Sequence, residues 1–91
     1  VFLAAELGDY DNVQRFLDDG GDVDIRGIDD ETLIMAASRA GWPRIVELLV
    51  DRGADVSLVD ADGVPALKHA IGSWCIDSVR ILCDGGSDPN F

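Results

Sequence analysis

Few side chains in this sequence could support chemistry. His69 and Ser73 stand four positions apart, about one helical turn, so an imidazole and a hydroxyl could meet on one helix face. Such a pair would begin a serine-hydrolase site. That site also needs an orienting carboxylate and an oxyanion hole, and the chain carries no nucleophile-elbow motif. His69 therefore reads as a surface histidine. Cys75, Cys83, His69 and the scattered aspartates lack the spacing of a zinc site. The two cysteines fall in one predicted helix, and eight residues rise about 12 Å, too far for a disulfide. Cys83 instead reads as a small core hydrophobe. Asp60-Ala61-Asp62-Gly63 opens like a calcium loop but lacks the glutamate that would close one. Gly85-Gly86 is not followed by the Lys-Ser/Thr of a phosphate loop. The expectation is no catalytic residue, no metal and no cofactor.

The elements that carry these residues are bounded by composition. Ninety-one residues make one small domain, too small to enclose a large active site. A hydrophobic content of 47% with 27% charged residues is that of a globular chain rather than a disordered tail. Eighteen acids against seven bases give a net charge of −11, a surface that phosphate backbones repel, so nucleic acid is not an expected partner. No apolar run approaches a bilayer span, and the opening VFLAAELGD has no basic flank of a secretory leader, so no membrane insertion is expected. Two cysteines make no disulfide framework, and the chain reads as reduced and intracellular, cytoplasmic or nuclear.

The strongest signal is internal repetition. Gly20-Gly21-Asp22, Gly53-Ala54-Asp55 and Gly86-Ser87-Asp88 recur every 33 residues. The same interval relates Asp18, Asp51 and Asp84, then Ala4, Ala37 and Ala70, then Val13, Val46 and Val79, with Phe16, Leu49 and Leu82 all large and apolar. Gly8 and Gly41 also match, and Trp74 breaks that series. The chain divides into a partial copy at 1–26, a complete copy at 27–59 and a nearly complete one at 60–91.

Each copy reads as two short helices and a connector. In the complete copy Thr32 is a good N-cap, and Leu33, Ile34, Ala36, Ala37 and Ala40 give the first helix its apolar positions. Gly41 ends that helix and Pro43 suits the first turn of the next. Ile45, Val46, Leu48, Leu49 and Val50 cover a wide apolar face, and Gly53 fits a left-handed cap. Residues 56–64 form an extended connector bent at Asp62-Gly63. The third copy places helices near 65–72 and 76–85. No such pair can bury its apolar face alone, so neighbouring copies must stack.

The run Thr32-Leu-Ile-Met-Ala-Ala, Ala-Gly-Trp, Ile-Val-Glu-Leu-Leu-Val and Arg-Gly-Ala-Asp-Val56 resembles an ankyrin repeat. Asp60-Ala-Asp-Gly, Pro65-Ala-Leu and Gly86-Ser-Asp-Pro-Asn90 match the same pattern, and residues 1–26 match its second half. The resemblance implies an all-α solenoid of stacked helix-turn-helix units joined by β-hairpin-like loops. The family's Thr-Pro-Leu-His tetrapeptide becomes Thr32-Leu33-Ile34-Met35 and Pro65-Ala66-Leu67-Lys68. The histidine that ties adjacent repeats is missing, which implies a weaker or altered stack, and Trp74 implies a rebuilt turn. About two and three-quarter copies without a polar cap read as an excerpt of a longer array.

Similarity to this family implies protein–protein recognition by loop tips and first helices along one concave face, without catalysis. The implied contact positions are Arg26, Ile28, Asp29 and Glu31 on the first tip, Arg39 on the helix between, and Val59, Ala61, Asp62 and Val64 on the second tip. Residues 1–31 hold ten acids and two bases, so the expected partner is a protein or peptide of basic character offering Lys or Arg around a small apolar patch. The opposing reading is a solvated acidic surface that keeps the array soluble. Trp42 and Trp74, nearly equivalent in adjacent copies, either pack together or form an exposed pair that anchors a partner. Phe91 is expected to pack on a following unit. The role is that of an adaptor or scaffold, or alternatively of a substrate-recruiting module in a larger enzyme such as a ubiquitin ligase, kinase or acyltransferase.

Overall fold

The computed structural model describes residues 1–84, so the Gly86-Ser87-Asp88 triplet, Gly85-Gly86 and Phe91 lie outside the described residues. Three helical hairpins follow one another: α1 (Phe2–Leu7) with α2 (Tyr10–Asp18), α3 (Leu33–Ala40) with α4 (Pro43–Asp51), and α5 (Ala66–Gly72) with α6 (Ile76–Asp84). The first helices form one row, α1 against α3 and α3 against α5, and the second helices form another, α2 against α4 and α4 against α6. The fold is all-helical, and the described residues contain no strand beyond a single antiparallel bridge between Val59 and Pro65.

The helix boundaries follow from their punctuation. Thr32 caps α3, its hydroxyl accepting from the Met35 N–H while the Met35 sulfur accepts from the Thr32 N–H. Gly41 closes α3 in the left-handed region at φ 81°, and Pro43 opens α4 where no amide proton is needed. In α5 the capping position is Pro65, which has no hydroxyl, and no side chain caps that helix.

The core is a strip along the stack. In α3, Leu33, Ile34, Met35, Ala36, Ala37 and Ser38 are all buried, because a hairpin lies on each side. In α5 only Ala66 and Ala70 are buried. From the second row Val13, Leu17, Ile45, Val46, Leu49 and Leu82 complete the core. Each such aliphatic side chain contributes about 1.5–3 kcal/mol on leaving water, which a lone hairpin could not supply in sufficient number.

Polar contacts between hairpins keep the repeat register. The Arg39 guanidinium meets Glu6, the Arg52 guanidinium meets Asp18, the Asp55 N–H donates to Asp24, and Ser73 Oγ donates to the Ser38 carbonyl. These pairs lie 33, 34, 31 and 35 residues apart, close to the repeat interval. Arg44 sits over the Tyr10 ring at 5.1 Å, one more link of the same kind.

Three sequence expectations change. The turn at Trp74 is not rebuilt: Trp74 takes φ 60°, the left-handed value of Gly8 (77°) and Gly41 (81°). The two tryptophans do not pack together. Trp42 reaches back onto the preceding hairpin, where its indole N–H donates to the Glu6 carbonyl at 2.8 Å and its ring covers Gly8. Trp74 is 88% exposed. Finally, His69 is not a surface residue; its side chain is 18% exposed, and Nε2 lies 3.0 Å from an Asp60 carboxylate oxygen.

Candidate binding cleft at the loop tips

The connectors rise from the helical rows as two fingers. In the first, Asp29 and Asp30 both adopt left-handed backbone (φ 57° and 59°), a conformation aspartate tolerates better than most residues, and the Gly27 N–H donates to the Glu31 carbonyl at 2.8 Å to close the loop. The second is closed by Asp60. Its N–H donates to the Val64 carbonyl, and its carboxylate accepts from the N–H groups of Asp62 (2.9 Å) and Val64 (3.0 Å).

The fingers are tied to each other. The Ala61 N–H donates to the Asp29 carbonyl at 2.8 Å, and Arg26 Nη1 donates to the carbonyls of Asp30 and Val59 at 3.0 and 2.7 Å. His69 holds the base of the second finger to α5 through Asp60.

Between the fingers and the first helices lies an open cleft of about 480 Å³, lined by Phe2, Leu3, Glu6, Ile28, Asp29, Glu31, Arg39, Asp60 and Asp62. Five of the nine positions expected from sequence, Ile28, Asp29, Glu31, Arg39 and Asp62, therefore come together in one place. The other four build the fingers. Arg26 spends its guanidinium on backbone carbonyls, Val59 and Ala61 supply backbone to the finger-to-finger ties, and the Val64 N–H is held by Asp60. Phe2, Leu3, Glu6 and Asp60 were missed. The signal for Glu6 was present, since it precedes Arg39 by one repeat interval and equivalent positions of adjacent copies stack.

The cleft is acidic with an apolar floor. Its one base, Arg39, is shared between Glu31 at 3.1 Å and Glu6 at 2.7 Å; these bonds, that to Glu31 foremost, raise its pKa further above the usual arginine value. Glu6, Asp29, Glu31, Asp60 and Asp62 thus outnumber one committed cation. The Val64 N–H, with smaller help from His69 and the Asp62 N–H, holds the Asp60 carboxyl below its ordinary range, although partial burial opposes this. Ile28 stands 87% exposed at the finger tip, beside Leu3 and Phe2.

The hydrolase elements do not assemble. Ser73 Oγ donates to the carbonyls of Ser38 and Ala70, both at 2.9 Å, while His69 turns to Asp60. Cys75 and Cys83 are free and half-buried, and Cys75 Sγ accepts from Ser78 Oγ. Among the described residues no group of three or more His, Cys, Asp or Glu side chains is placed to hold a metal ion, and no helix is long and apolar enough to cross a membrane.

A family model described as ankyrin repeats, in three copies, matches residues 1–91. Serine/threonine-protein kinase 12 of Arabidopsis thaliana is 38% identical over 82 residues, 90% of this chain and 18% of the kinase. The ankyrin repeat domain-containing protein SAT10 of Stachybotrys chartarum is 32% identical over 90 residues, 99% of the chain and 5% of that protein. The phosphocholine transferase AnkX of Legionella pneumophila is 33% identical over 72 residues, 78% of the chain and 8% of the transferase. The chain thus spans less than a fifth of the length of these relatives. With the 33-residue register, the paired helices and hairpin-like fingers of the described residues, and a family model that matches residues 1–91, the chain belongs to the ankyrin repeat family.

Proposed function

We propose that this chain is a non-catalytic recognition module that holds a basic segment of a partner protein in the cleft between its fingers and first helices. Ankyrin repeats mediate protein–protein interaction, and the observation that carries the finer reading is the composition of the cleft. Five carboxylates surround an apolar floor of Phe2 and Leu3 with Ile28 at the finger tip, and the single arginine is already paired. A Lys or Arg next to an aliphatic side chain satisfies both parts at once. The carboxylates set the rate of encounter, and the apolar contact sets the lifetime.

The test compares three baits in capture from a cell extract: the wild-type chain, an Asp29→Lys/Asp62→Lys variant, and an Asp11→Lys variant altered on α2. The expected result is a set of proteins retained by wild type and Asp11→Lys and lost from the double variant. Recovery of the same set by all three baits would defeat the reading.

A second reading, recruitment of substrates to an attached catalytic domain, is favoured by similarity to short stretches of a kinase and a phosphocholine transferase. In a parent enzyme of that kind, Asp29→Lys/Asp62→Lys would raise KM for the recruited protein and leave kcat for a small substrate unchanged. An unchanged KM would reject recruitment.

A further inference from the structure

The five carboxylates of the cleft are not equivalent. Asp60 is committed within the second finger, to the N–H groups of Asp62 and Val64 and to His69. Glu6 and Glu31 are committed to Arg39: its Nε and Nη2 donate to the two oxygens of Glu31 at 3.2 and 3.1 Å, and Nη2 also donates to Glu6 at 2.7 Å. Asp29 and Asp62 remain, and neither carboxylate has an ion-pair partner among the described residues. They stand at equivalent positions, 33 residues apart, on fingers joined by the Ala61 N–H at the Asp29 carbonyl. The uncommitted negative charge of the cleft is thus gathered at the finger tips, while the end between α1 and α3 already contains its own cation.

Arg39 is not required for stacking the hairpins. The equivalent position of the third copy is Gly72, and α5 packs on α3 with no guanidinium there. The Arg39 side chain is 46% exposed and that of Glu6 40%, and an ion pair so open to water adds little to stability. Its place in the cleft is sharply defined all the same. The forked contact with Glu31 fixes the plane of the guanidinium, and Glu6 holds Nη2 toward α1. Nη1 makes no hydrogen bond among the described residues, so it keeps donors for a carbonyl oxygen of a bound chain. A second ammonium or guanidinium entering here would have to share two carboxylates with a cation that already holds both.

We propose, resting on the reading of this cleft as a site for a basic segment, that Arg39 is its specificity-determining residue: it limits the segment to one cation, received by Asp29 and Asp62, and turns away a second at the Glu6–Glu31 end. The partner is then a segment with a single Lys or Arg beside an aliphatic residue, and a polybasic run gains nothing from its further charges once distant carboxylates are screened. Selectivity of this kind comes from a repulsive element placed among attractive ones, which a count of acidic residues would not reveal.

The test is a set of amide-shift titrations at about 0.15 M salt, where charges more than about 8 Å apart are largely screened. The peptides, blocked at both ends, are Arg-Leu-Lys and its single-cation analogues Arg-Leu-Gln and Gln-Leu-Lys. Wild type is expected to bind Arg-Leu-Lys within about twofold of the better analogue. Arg39→Gln, which releases Glu6 and Glu31, is expected to prefer Arg-Leu-Lys by about fivefold, as two part-exposed carboxylates allow. Arg39→Lys, which returns the charge, restores near-equal binding, and Glu6→Gln/Glu31→Gln/Arg39→Gln loses the new preference. Each preference is a ratio measured on one variant, so a helix displaced by the substitution lowers both affinities and leaves the ratio alone. Arg39→Gln binding without preference for the second cation overturns the proposal, as does a wild type that already prefers it fivefold. Both outcomes leave the cleft as a site for a basic segment. No saturable binding of any peptide to wild type, or binding that Asp29→Lys/Asp62→Lys leaves unchanged, defeats that reading and the role of Arg39 with it.

Discussion

At the scale of single residues, the chain carries local conflicts whose removal should stabilise it. Trp74 holds a left-handed φ of 60° at a position where the two earlier copies use glycine, and its ring is almost fully in water. A bulky L-residue there costs about 1–2 kcal/mol, part of which a glycine would lose again in backbone entropy. Trp74→Gly is expected to raise the unfolding free energy by about 1 kcal/mol, read from the urea midpoint in dilute protein. Ser38 poses a different conflict, a fully buried hydroxyl with no hydrogen-bond partner among the described residues, where the first copy has Ala5. Ser38→Ala is expected to stabilise by about 1 kcal/mol in the same measurement, since burying an unsatisfied hydroxyl costs 1–3 kcal/mol. The exception at Trp74 was legible in the sequence as a break in a glycine series, but not its consequence. A missing glycine says that the turn is abnormal; only the dihedral shows that the turn kept its shape and took on the strain. Nor did the near-equivalence of Trp42 and Trp74 reveal that one faces backward along the stack and the other outward. A one-position offset across a turn decides that direction.

At the scale of elements, the helices were largely legible and the fingers were not. Thr32, Gly41, Pro43 and Gly53 marked the limits of α3 and α4 because each has a specific backbone role that sequence alone discloses. The fingers depend on hydrogen bonds whose partners are distant in sequence. Arg26 was expected at a partner contact, and its guanidinium instead bridges Asp30 and Val59. Asp60 was weighed as part of a calcium-like motif and of the repeat pattern, not as a finger-closing residue, yet it closes the second finger and binds His69. A carboxyl held below its ordinary value of 3.8 adds stability above the unfolded-state pKa, and that stability is lost as pH falls through the folded-state pKa. Asp60→Asn keeps an oxygen that can accept from Asp62 and Val64 but removes the charge. Denaturation midpoints followed from neutral pH down through the carboxylate range should therefore fall less steeply for Asp60→Asn than for wild type. Parallel slopes would assign the acid sensitivity to other carboxylates.

At the scale of the whole molecule, the repeat interval does more than stack helices. It brings position 6 beside position 39 and position 26 beside position 59, so that one cleft is assembled from all three copies. The sequence disclosed the charge imbalance and five of the lining residues, because finger tips are short and their side chains have few places to go. It did not disclose the apolar floor, since Phe2 and Leu3 belong to a helix whose covering partner is known only once the first row is built. The central claim is that this cleft, rather than the acidic surface at large, recognises a basic segment. The direct measurement is a titration of the isotopically labelled chain with a short Arg-Leu-Lys peptide, followed by amide chemical shifts, for wild type and for Asp29→Lys/Asp62→Lys. The predicted result is saturable shifts confined to the neighbourhood of Leu3, Glu6, Ile28, Asp29, Glu31 and Asp62, abolished in the double variant. Small shifts spread over the acidic residues of α2 as much as over the fingers, and unchanged in that variant, would contradict it.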